Sequence, residues 1–346
     1  MNKNERFIFR DENWGVLVQD SLYDRIWAIR DRFCPKVLFS ENPYKYNKEF
    51  IDKRIRRDNL DLSSPISISW EITSNCNSNC MFCCNNSGEK TVELSLKKIK
   101  EIVNILEEWN CLRIIIGGGE PLMHKDILSI LKLFENKRNK PAIATNGILL
   151  NKEGVLEQIS KSCMTLQISL DSLDEMKYFK LRGIDALQTV KDNIILAKQY
   201  IKNIRIVTVL NKENENELEA IASFLNDIGI KQWFIFKMLP SGRGKNVINE
   251  IGIKDDSTIK ERLKIINKKY SNLAVWYWGT QKSDGMAIYI NKDGQLSIVD
   301  YFEDKKIKFY SEEWDLNKIK EAWKNVSIQT KRDTIINFTS INKLLI

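Results

Sequence analysis

Three cysteines within one short segment are the residues of this chain best suited to chemistry. Cys76, Cys80 and Cys83 are spaced four and then three residues apart, and they follow an apolar run at 66–72 that is typical of a strand. Thiolates at such spacings hold iron–sulfur clusters. A cubane cluster normally has four protein ligands, so three cysteines leave one iron open to another molecule. The segment therefore predicts a cluster with one open coordination site.

The segment that ends at Cys83 resembles the signature of the radical S-adenosylmethionine (radical SAM) superfamily, in which an aromatic residue precedes the third cysteine. The resemblance implies that Cys76, Cys80 and Cys83 are the catalytic metal ligands of one [4Fe–4S] cluster. It implies that the open iron binds the amino and carboxylate groups of S-adenosylmethionine (SAM). Phe82 would lie against the adenine. Cleavage of SAM would then give methionine and a 5′-deoxyadenosyl radical that removes a hydrogen atom from a substrate.

Beyond the cysteines, apolar runs alternate with amphipathic stretches. The apolar runs lie at 66–72, 111–116, 141–145, 164–170, 204–210 and 233–238. The amphipathic stretches lie near 95–109, 125–137, 151–161, 186–200 and 214–229. This order predicts an α/β fold of right-handed βαβ units around a parallel sheet. Six units match the partial (βα)6 TIM-like barrel of the resembled family, in which chemistry occurs at the carboxyl ends of the strands.

Glycines and polar residues follow the predicted second and fourth strands, where such a barrel has its active site. Gly118, Gly119 and Glu120 resemble the family's Gly-Gly-Glu-Pro motif, which implies contact with the SAM amino group; a tight strand-to-helix turn is the alternative for the glycines. Ser169 and Asp171 lie in a segment that resembles the family's Ile-Ser-Leu-Asp. Alternation places both on one face, and both can hydrogen-bond to ribose hydroxyls or the SAM carboxylate.

Several other residues are candidates for the same site. Asn214, after the fifth strand, is a candidate for the SAM pocket or for a helix cap. Arg243 lies in a loop that resembles the Pro-x-Gly-Arg loop of peptide-modifying members, and it either pairs with a carboxylate of SAM or substrate or lies on the surface. We expect Cys84 to pack beside the cluster; it and Cys34 are alternative hydrogen-atom donors. His124, the only histidine, is expected to start a helix.

The two ends of the chain suggest additions to a central domain. Residues 1–60 predict a hairpin, with strands at 7–10 and 14–20, followed by a helix over 21–33. This order resembles the N-terminal appendage of several peptide-modifying radical SAM enzymes; the alternative is an extra layer that covers the open edge of the core. The core is expected at 66–245.

Residues 246–346 are expected to form a C-terminal extension, with a hairpin over 285–299 and a helix over 314–325. This α+β order resembles the SPASM/Twitch extension of radical SAM enzymes, whose cysteines bind auxiliary iron–sulfur clusters. No cysteine follows Cys163 in this sequence. The extension therefore cannot bind auxiliary clusters through cysteine, and we expect a single cluster.

Composition and charge limit the classes of partner that we expect the protein to bind. The net charge of +8 comes from 54 Lys+Arg and 46 Asp+Glu, dispersed and mixed in sign, which argues against nucleic-acid binding. The charged N-terminus does not resemble a signal peptide, and no apolar stretch is long enough for a membrane span. We expect a cytoplasmic protein with reduced thiols. Of seven cysteines, the four between 76 and 84 indicate a metal or cluster site rather than disulfides.

The resemblance to radical SAM enzymes, together with that of the two end segments to peptide-modifying members, implies an enzyme that abstracts hydrogen from a peptide, made by the ribosome, in the maturation of a natural product. The alternative is the same chemistry on a sugar, nucleoside or amino acid, by epimerisation, dehydrogenation or rearrangement. The electron is expected from a reducing partner such as flavodoxin or ferredoxin. Two rivals lie outside catalysis. One is a structural zinc site, which needs a fourth ligand with only Cys84 at hand, and the other is an inactive barrel that serves as a scaffold.

Overall fold

The computed structural model describes residues 7–13, 15–20, 25–29, 61–88, 93–279, 286–300, 305–310 and 313–327. Its first part is an antiparallel sheet of strands β1 (Phe7–Glu12), β2 (Gly15–Asp20) and β3 (Arg25–Ile29). The predicted hairpin is confirmed. The helix predicted over 21–33 is wrong at residues 25–29, because β3 pairs along β2 with Trp27 opposite Val18. Isoleucine and tryptophan also suit strands, and the rest of that predicted helix lies outside the described residues.

The core is a sheet in which seven successive strands run parallel. They are β4 (Ser67–Thr73), β5 (Arg113–Gly118), β6 (Ala142–Thr145), β7 (Thr165–Ser169), β8 (Ile204–Leu210), β9 (Gln232–Lys237) and β10 (Ala274–Trp278). The six predicted strands are confirmed as β4 to β9. The seventh, β10, pairs with β9 and comes from residues that the sequence assigned to the C-terminal extension.

Helices connect the parallel strands, and most of them bury apolar residues in the main core. They are α1 (Leu96–Glu108), α2 (Ile127–Lys132), α3 (Val155–Ser162), α4 (Glu175–Arg182), α5 (Leu187–Ala197), α6 (Leu218–Asp227), α7 (Gly244–Ile251) and α8 (Ser257–Lys269). The sequence predicted α1, α2, α3, α5 and α6 but not α4, α7 or α8. Among the described residues, no helix combines the length and the apolar character needed to cross a membrane.

The C-terminal elements continue the same sheet. Strands β11 (Met286–Ile290), β12 (Leu296–Asp300) and β13 (Lys305–Tyr310) are followed by helix α9 (Leu316–Asn325). The predicted hairpin and helix are confirmed, and β11 pairs in parallel with β4, so the strand order is β10-β9-β8-β7-β6-β5-β4-β11-β12-β13. Strands from 246–346 thus flank both sides of the core, and the sheet is continuous across residue 245. The division into 1–60, 66–245 and 246–346 stays a prediction.

The N-terminal sheet contacts the core at the amino ends of the parallel strands. Arg10 Nη1 donates hydrogen bonds to Ser64 Oγ at 2.6 Å and to Pro65 O at 3.0 Å, just before β4. Gln19 Nε2 lies 3.8 Å from the sulfur of Met164, just before β7. This sheet therefore covers the end of the core opposite to the cysteines.

Candidate active site

The three cysteines lie on the loop that follows β4, at the carboxyl end of the parallel sheet. Cys80 is buried, whereas Cys76 and Cys83 are half-buried. The loop folds back on itself, because Cys83 N donates to Cys80 O at 3.2 Å and Ser78 N donates to Cys76 Sγ at 3.4 Å. The thiols are thus gathered in one compact turn where parallel α/β proteins place their chemistry.

Glycines from three other loops let the backbone approach the cysteine loop closely. A methyl group on Gly119, after β5, would lie 2.1 Å from Asn75 O. One on Gly242, after β9, would lie 2.4 Å from Cys83 O, and one on Gly183, after α4, would lie 2.8 Å from another carbonyl oxygen of the loop. No side chain fits at these distances. Three separate connections therefore form a cradle around the cysteines.

Gly118 extends the contact between the loops after β4 and β5. Its φ of +115° suits glycine, and a methyl group there would lie 2.5 Å from Thr73 O. Its carbonyl oxygen accepts hydrogen bonds from Asn85 Nδ2 and Ser87 Oγ, each at 3.3 Å. The predicted contact of Gly118 and Gly119 with the SAM amino group stays a prediction, and the structure gives both glycines a second role in fitting the two loops together.

Arg243 donates hydrogen bonds to main-chain oxygens of the cysteine loop. Its amide donates to Cys83 O at 2.8 Å, its Nε to Cys80 O at 2.9 Å, and its Nη1 to Ser87 O at 2.6 Å. Charged donors make strong hydrogen bonds with carbonyl oxygens. Arg243 is thus half-buried and bonded to the loop. Its pairing with a carboxylate of SAM or substrate stays a prediction.

The donor set fits three corners of an iron–sulfur cluster. The pKa of Cys76 is raised to about 11, chiefly by burial, and the nearby Cys80 and Cys83 contribute to this rise. Burial also raises the pKa of Cys80. The thiols are therefore close enough to influence one another, and ligation as thiolates would release protons. Among the described residues, no three His, Cys, Asp or Glu side chains are close enough to hold one metal ion. The spacing suits a cluster in which each thiolate binds a different iron.

Glu120 is buried and joins the loops that follow β5 and β6. Its Oε1 accepts hydrogen bonds from Leu122 N at 3.0 Å and Thr145 Oγ1 at 2.7 Å, and its Oε2 accepts one from Asn146 N at 2.7 Å. Burial raises the pKa of Glu120, and these hydrogen bonds oppose the shift. Its predicted contact with the SAM amino group stays a prediction, and any such contact would come from a carboxylate already fixed by three donors.

Asp171 and Asn214 have protein partners on the cofactor side of β7 and β8. Asp171 is completely buried, forms an ion pair with Arg182, and accepts a hydrogen bond from Val209 N at 2.7 Å. Asn214 Nδ2 donates to Asp171 O at 2.8 Å, and its Oδ1 accepts from Asn211 N. Asn214 occupies the N-cap position of the short helical turn that follows it, but its side chain makes no capping hydrogen bond there. Direct SAM contacts by Asp171 and Asn214 stay predictions.

Alternate residues of the parallel strands differ in exposure, which identifies an accessible inner face. On β8, Ile206 and Thr208 are buried on the helix side, whereas Val207 and Val209 on the other side are half-exposed. Ser169 pairs with Val207 and is also half-exposed. The inner face of the sheet therefore lines a solvent-accessible lumen, and Ser169 lies on it near the carboxyl ends. Its predicted bond to SAM stays a prediction.

An aromatic surface covers the lumen face of β9 and β10. Phe234 stacks on Trp276 with ring centroids 5.6 Å apart, and Phe236 meets Trp278 edge to face at 5.3 Å. The guanidinium carbon of Arg205 lies 4.0 Å from the Phe234 centroid. Phe236 and Trp278 are half-exposed. This wall offers apolar and planar contact area to a molecule in the lumen.

Phe82 lies below the cysteines rather than on an open surface. It is buried with Cys80, Leu181, Met238 and Ile251 in a small apolar cluster separate from the main core. Its predicted contact with adenine stays a prediction. Cys84 Sγ, by contrast, faces Asn85 Oδ1 at 3.8 Å, and Cys34 lies outside the described residues. His124 Nδ1 accepts from Asp126 N at 3.1 Å near the start of α2, as expected.

Sequence reasoning missed Arg182, whose Nη1 donates to Cys80 Sγ at 3.5 Å, and it missed the cradle glycines Gly183 and Gly242. Both glycines have a positive φ, which is +66° at Gly183 and +57° at Gly242. A signal existed, because Arg182-Gly183 ends α4 in the way glycine ends many helices. The sequence did not show that these glycines contact the cysteine loop, or that Arg182 contacts Cys80.

The chain is similar in sequence to a known protein family and to several known proteins. Residues 70–225 match the radical SAM superfamily. The chain is 29% identical over 192 residues to the mycofactocin maturase MftC of Mycobacterium ulcerans, a match that covers 55% of this chain and 52% of the maturase. It is 27% identical over 285 residues to a protein of Sulfurisphaera tokodaii named "Probable GTP 3',8-cyclase", covering 73% of this chain and 88% of that protein. The chain spans about half the length of the maturases it matches.

Solved structures show the same fold. Streptococcus suis SuiB bound to the precursor peptide SuiA superposes with a TM-score of 0.68 at 16% identity, covering 94% of this chain and 88% of SuiB. A structure of SuiB bound to S-adenosylmethionine has a TM-score of 0.66 at 17% identity. At these identities the likeness establishes the fold, including the partial barrel.

Proposed function

From the match of residues 70–225 to the radical SAM superfamily, we propose that the protein is an enzyme that holds one [4Fe–4S] cluster through Cys76, Cys80 and Cys83 and binds SAM at the open iron. When bound, these groups supply a 5′-deoxyadenosyl radical, which abstracts a hydrogen atom from the substrate. The observation that carries the proposal is the cradle, in which loops after β5, α4 and β9 close on the three cysteines.

The chain's own residues orient these groups and shape the site. Arg243 and the cradle glycines hold the main chain of the cysteine loop, and we propose that this positions the three thiolates for one cluster. We propose that Gly118, Gly119 and Glu120 hold the SAM amino group, with Ser169 beside its ribose or carboxylate. Phe82 is proposed to support the adenine. We propose that the lumen receives the substrate, and that a bound substrate would exclude bulk water from the radical.

We propose a peptide substrate, as in the maturation of a ribosomally made natural product. Two findings support it. Several relatives of similar sequence are named as maturases, and the fold of nearly the whole chain follows that of a protein solved with its precursor peptide. The aromatic wall formed by Phe234, Phe236, Trp276 and Trp278 suits an apolar side chain of such a peptide.

A small-molecule substrate is the second candidate, and two observations favour it. The match to the GTP cyclase spans more of both chains than the match to the maturase. In addition, no cysteine follows Cys163. An enzyme with one cluster suits a redox-neutral reaction such as epimerisation or rearrangement, because no auxiliary cluster accepts a second electron. Either candidate needs a reducing partner, for which flavodoxin and ferredoxin are proposed.

Hydrogen transfer to 5′-deoxyadenosine distinguishes the two substrate classes, even when the substrate itself is unidentified. Cells of the source organism grown in deuterated medium are extracted and separated into a peptide fraction and a fraction of small metabolites. Each is incubated with SAM, dithionite and the anaerobically reconstituted protein. We expect monodeuterated 5′-deoxyadenosine from the peptide fraction, because the radical carbon takes its new hydrogen from the substrate. Mass spectrometry of the nucleoside measures it.

The matched control is the peptide fraction after complete digestion to amino acids. Digestion should remove the deuterium signal if an intact peptide is the substrate. Deuterium that appears only with the metabolite fraction would instead establish the small-molecule candidate.

A further inference from the structure

The end of helix α4 is joined to the cysteine loop by its main chain. Leu181 O accepts a hydrogen bond from Met81 N at 3.1 Å, and Arg182 O accepts one from Asn79 N at 2.9 Å. These amides flank Cys80. The backbone of Arg182 is therefore held at a fixed place beside the central cysteine, and its side chain has a short and defined reach to the sulfur.

The side chain of Arg182 lies between a carboxylate and the sulfur of Cys80. Its Nε forms an ion pair with Asp171 Oδ2, and its Nη1 donates to Cys80 Sγ at 3.5 Å. Its guanidinium carbon lies 5.6 Å from the centroid of the Phe82 ring. Arg182 is 7% exposed and Asp171 is not exposed at all. Water therefore screens this charge from the sulfur only weakly.

Asp171 is itself held by hydrogen bonds. Its Oδ1 accepts the amide of Val209 at 2.7 Å, and its main-chain oxygen accepts Asn214 Nδ2 at 2.8 Å. The carboxylate thus holds the guanidinium through its Nε, while Nη1 meets the cysteine. The orientation leaves an N–H of Arg182 directed at Cys80 Sγ, and the ends of β7 and β8 support it.

We propose that Arg182, held by Asp171, is a positioning residue that donates a hydrogen bond to the Cys80 thiolate and raises the reduction potential of the cluster. The proposal rests on the proposed function in that it requires the cluster. Accepting one electron makes a cluster more negative, and a cationic N–H donor at a ligand sulfur stabilises that state. The network also gives Asp171 and Asn214 a use other than direct contact with SAM.

A redox titration with dithionite, followed by electron paramagnetic resonance (EPR), tests the proposal. In the variant Arg182→Gln, we expect the potential to shift to a more negative value and the EPR signal of the reduced cluster to change. The double variant Asp171→Asn/Arg182→Gln leaves no buried charge unpaired, and we expect a smaller shift of the same sign. Arg182→Lys, which keeps the cation, should lie between wild type and Arg182→Gln.

Arg138→Gln is the matched control, because Arg138 bonds to Phe9 O at the opposite end of the core; its potential should equal that of wild type. Potential and EPR belong to the loaded fraction, so partial loading does not hide the result. If Arg182→Gln and the double variant lower the cluster content but keep the wild-type potential and spectrum, Arg182 is purely structural and the proposal is overturned. A wild-type protein that takes up no cluster would instead refute the proposed function.

Discussion

Each of the variants Cys76→Ala, Cys80→Ala and Cys83→Ala is expected to lose the [4Fe–4S] cluster and all cleavage of SAM. The three thiols share one compact turn at the end of β4, and a cluster bound by two protein ligands is not held against loss to solvent. We expect iron to fall from about four per chain in the reconstituted wild type to a small residue. Iron and sulfide analysis measures this, together with the absorbance of iron–sulfur thiolates.

Cys84→Ala is the matched control, since Cys84 adjoins Cys83 on the same loop but its sulfur faces Asn85 Oδ1. It should keep the iron, the sulfide and SAM cleavage close to wild-type values. Full iron and normal cleavage in a variant that lacks all three of Cys76, Cys80 and Cys83 would disprove the assignment of the ligands. A loss in Cys84→Ala as complete as in Cys83→Ala would show that the set of ligands is different.

Gly119→Ala is expected to disrupt the site without removing any ligand. The new methyl group would lie 2.1 Å from Asn75 O and 2.8 Å from the main chain of Ser74. Neither contact is with a flexible side chain, so the backbone of the cysteine loop must move. Such overpacking costs about 3 kcal/mol of unfolding free energy. We expect a lower midpoint in urea unfolding, and cluster content well below that of wild type after identical reconstitution.

Gly117→Ala is the control within the same run of three glycines. A methyl group on Gly117 would lie 3.7 Å from Ala144 Cβ, which is an ordinary contact. Its stability should stay within about 1 kcal/mol of wild type, with cluster content unchanged. Equal losses in the two variants would show that the run tolerates no side chain for a reason other than the approach of the cysteine loop. No loss in Gly119→Ala would contradict the cradle.

The core strands were predictable because their apolar runs are long and buried against helices. Ile68, Trp70 and Ile72 of β4 are all buried in the main core. Apolar residues at every second position are typical of a strand. Strand β10 was missed although Val275 and Tyr277 are buried in the same way. A five-residue run at the end of the sheet differs little from a loop in sequence, and only its pairing with β9 identifies it.

Helix α4 illustrates why part of the site was not predictable. Two of its apolar residues, Met176 and Phe179, are 79% and 55% exposed, while the buried face includes Arg182. The usual apolar stripe is therefore absent. Helix α4 is nevertheless capped at both ends, with Asp174 accepting from Lys177 N and Gly183 in the left-handed region. These end signals were a better guide than its hydrophobic pattern.

The residues of the site were likewise predictable from the sequence only in part. The order of cysteines, glycines and Glu120 in the sequence was enough to bring them to one end of the sheet, because parallel strands share their carboxyl ends. Alternation also placed Asp171 on the face of Ser169. It did not predict the ion pair between Asp171 and Arg182. Arg182 lies at the end of helix α4, and the packing of that helix against the strand ends cannot be derived from the spacing of residues along the sequence.

The most direct test of the central claim is the formation of 5′-deoxyadenosine by the wild-type protein. The protein is reconstituted anaerobically with iron and sulfide, reduced with dithionite, and incubated with SAM alone. If Cys76, Cys80 and Cys83 hold a cluster whose open iron binds SAM, 5′-deoxyadenosine and methionine should form in equal amounts. A protein that carries a complete cluster and forms neither product would contradict the account.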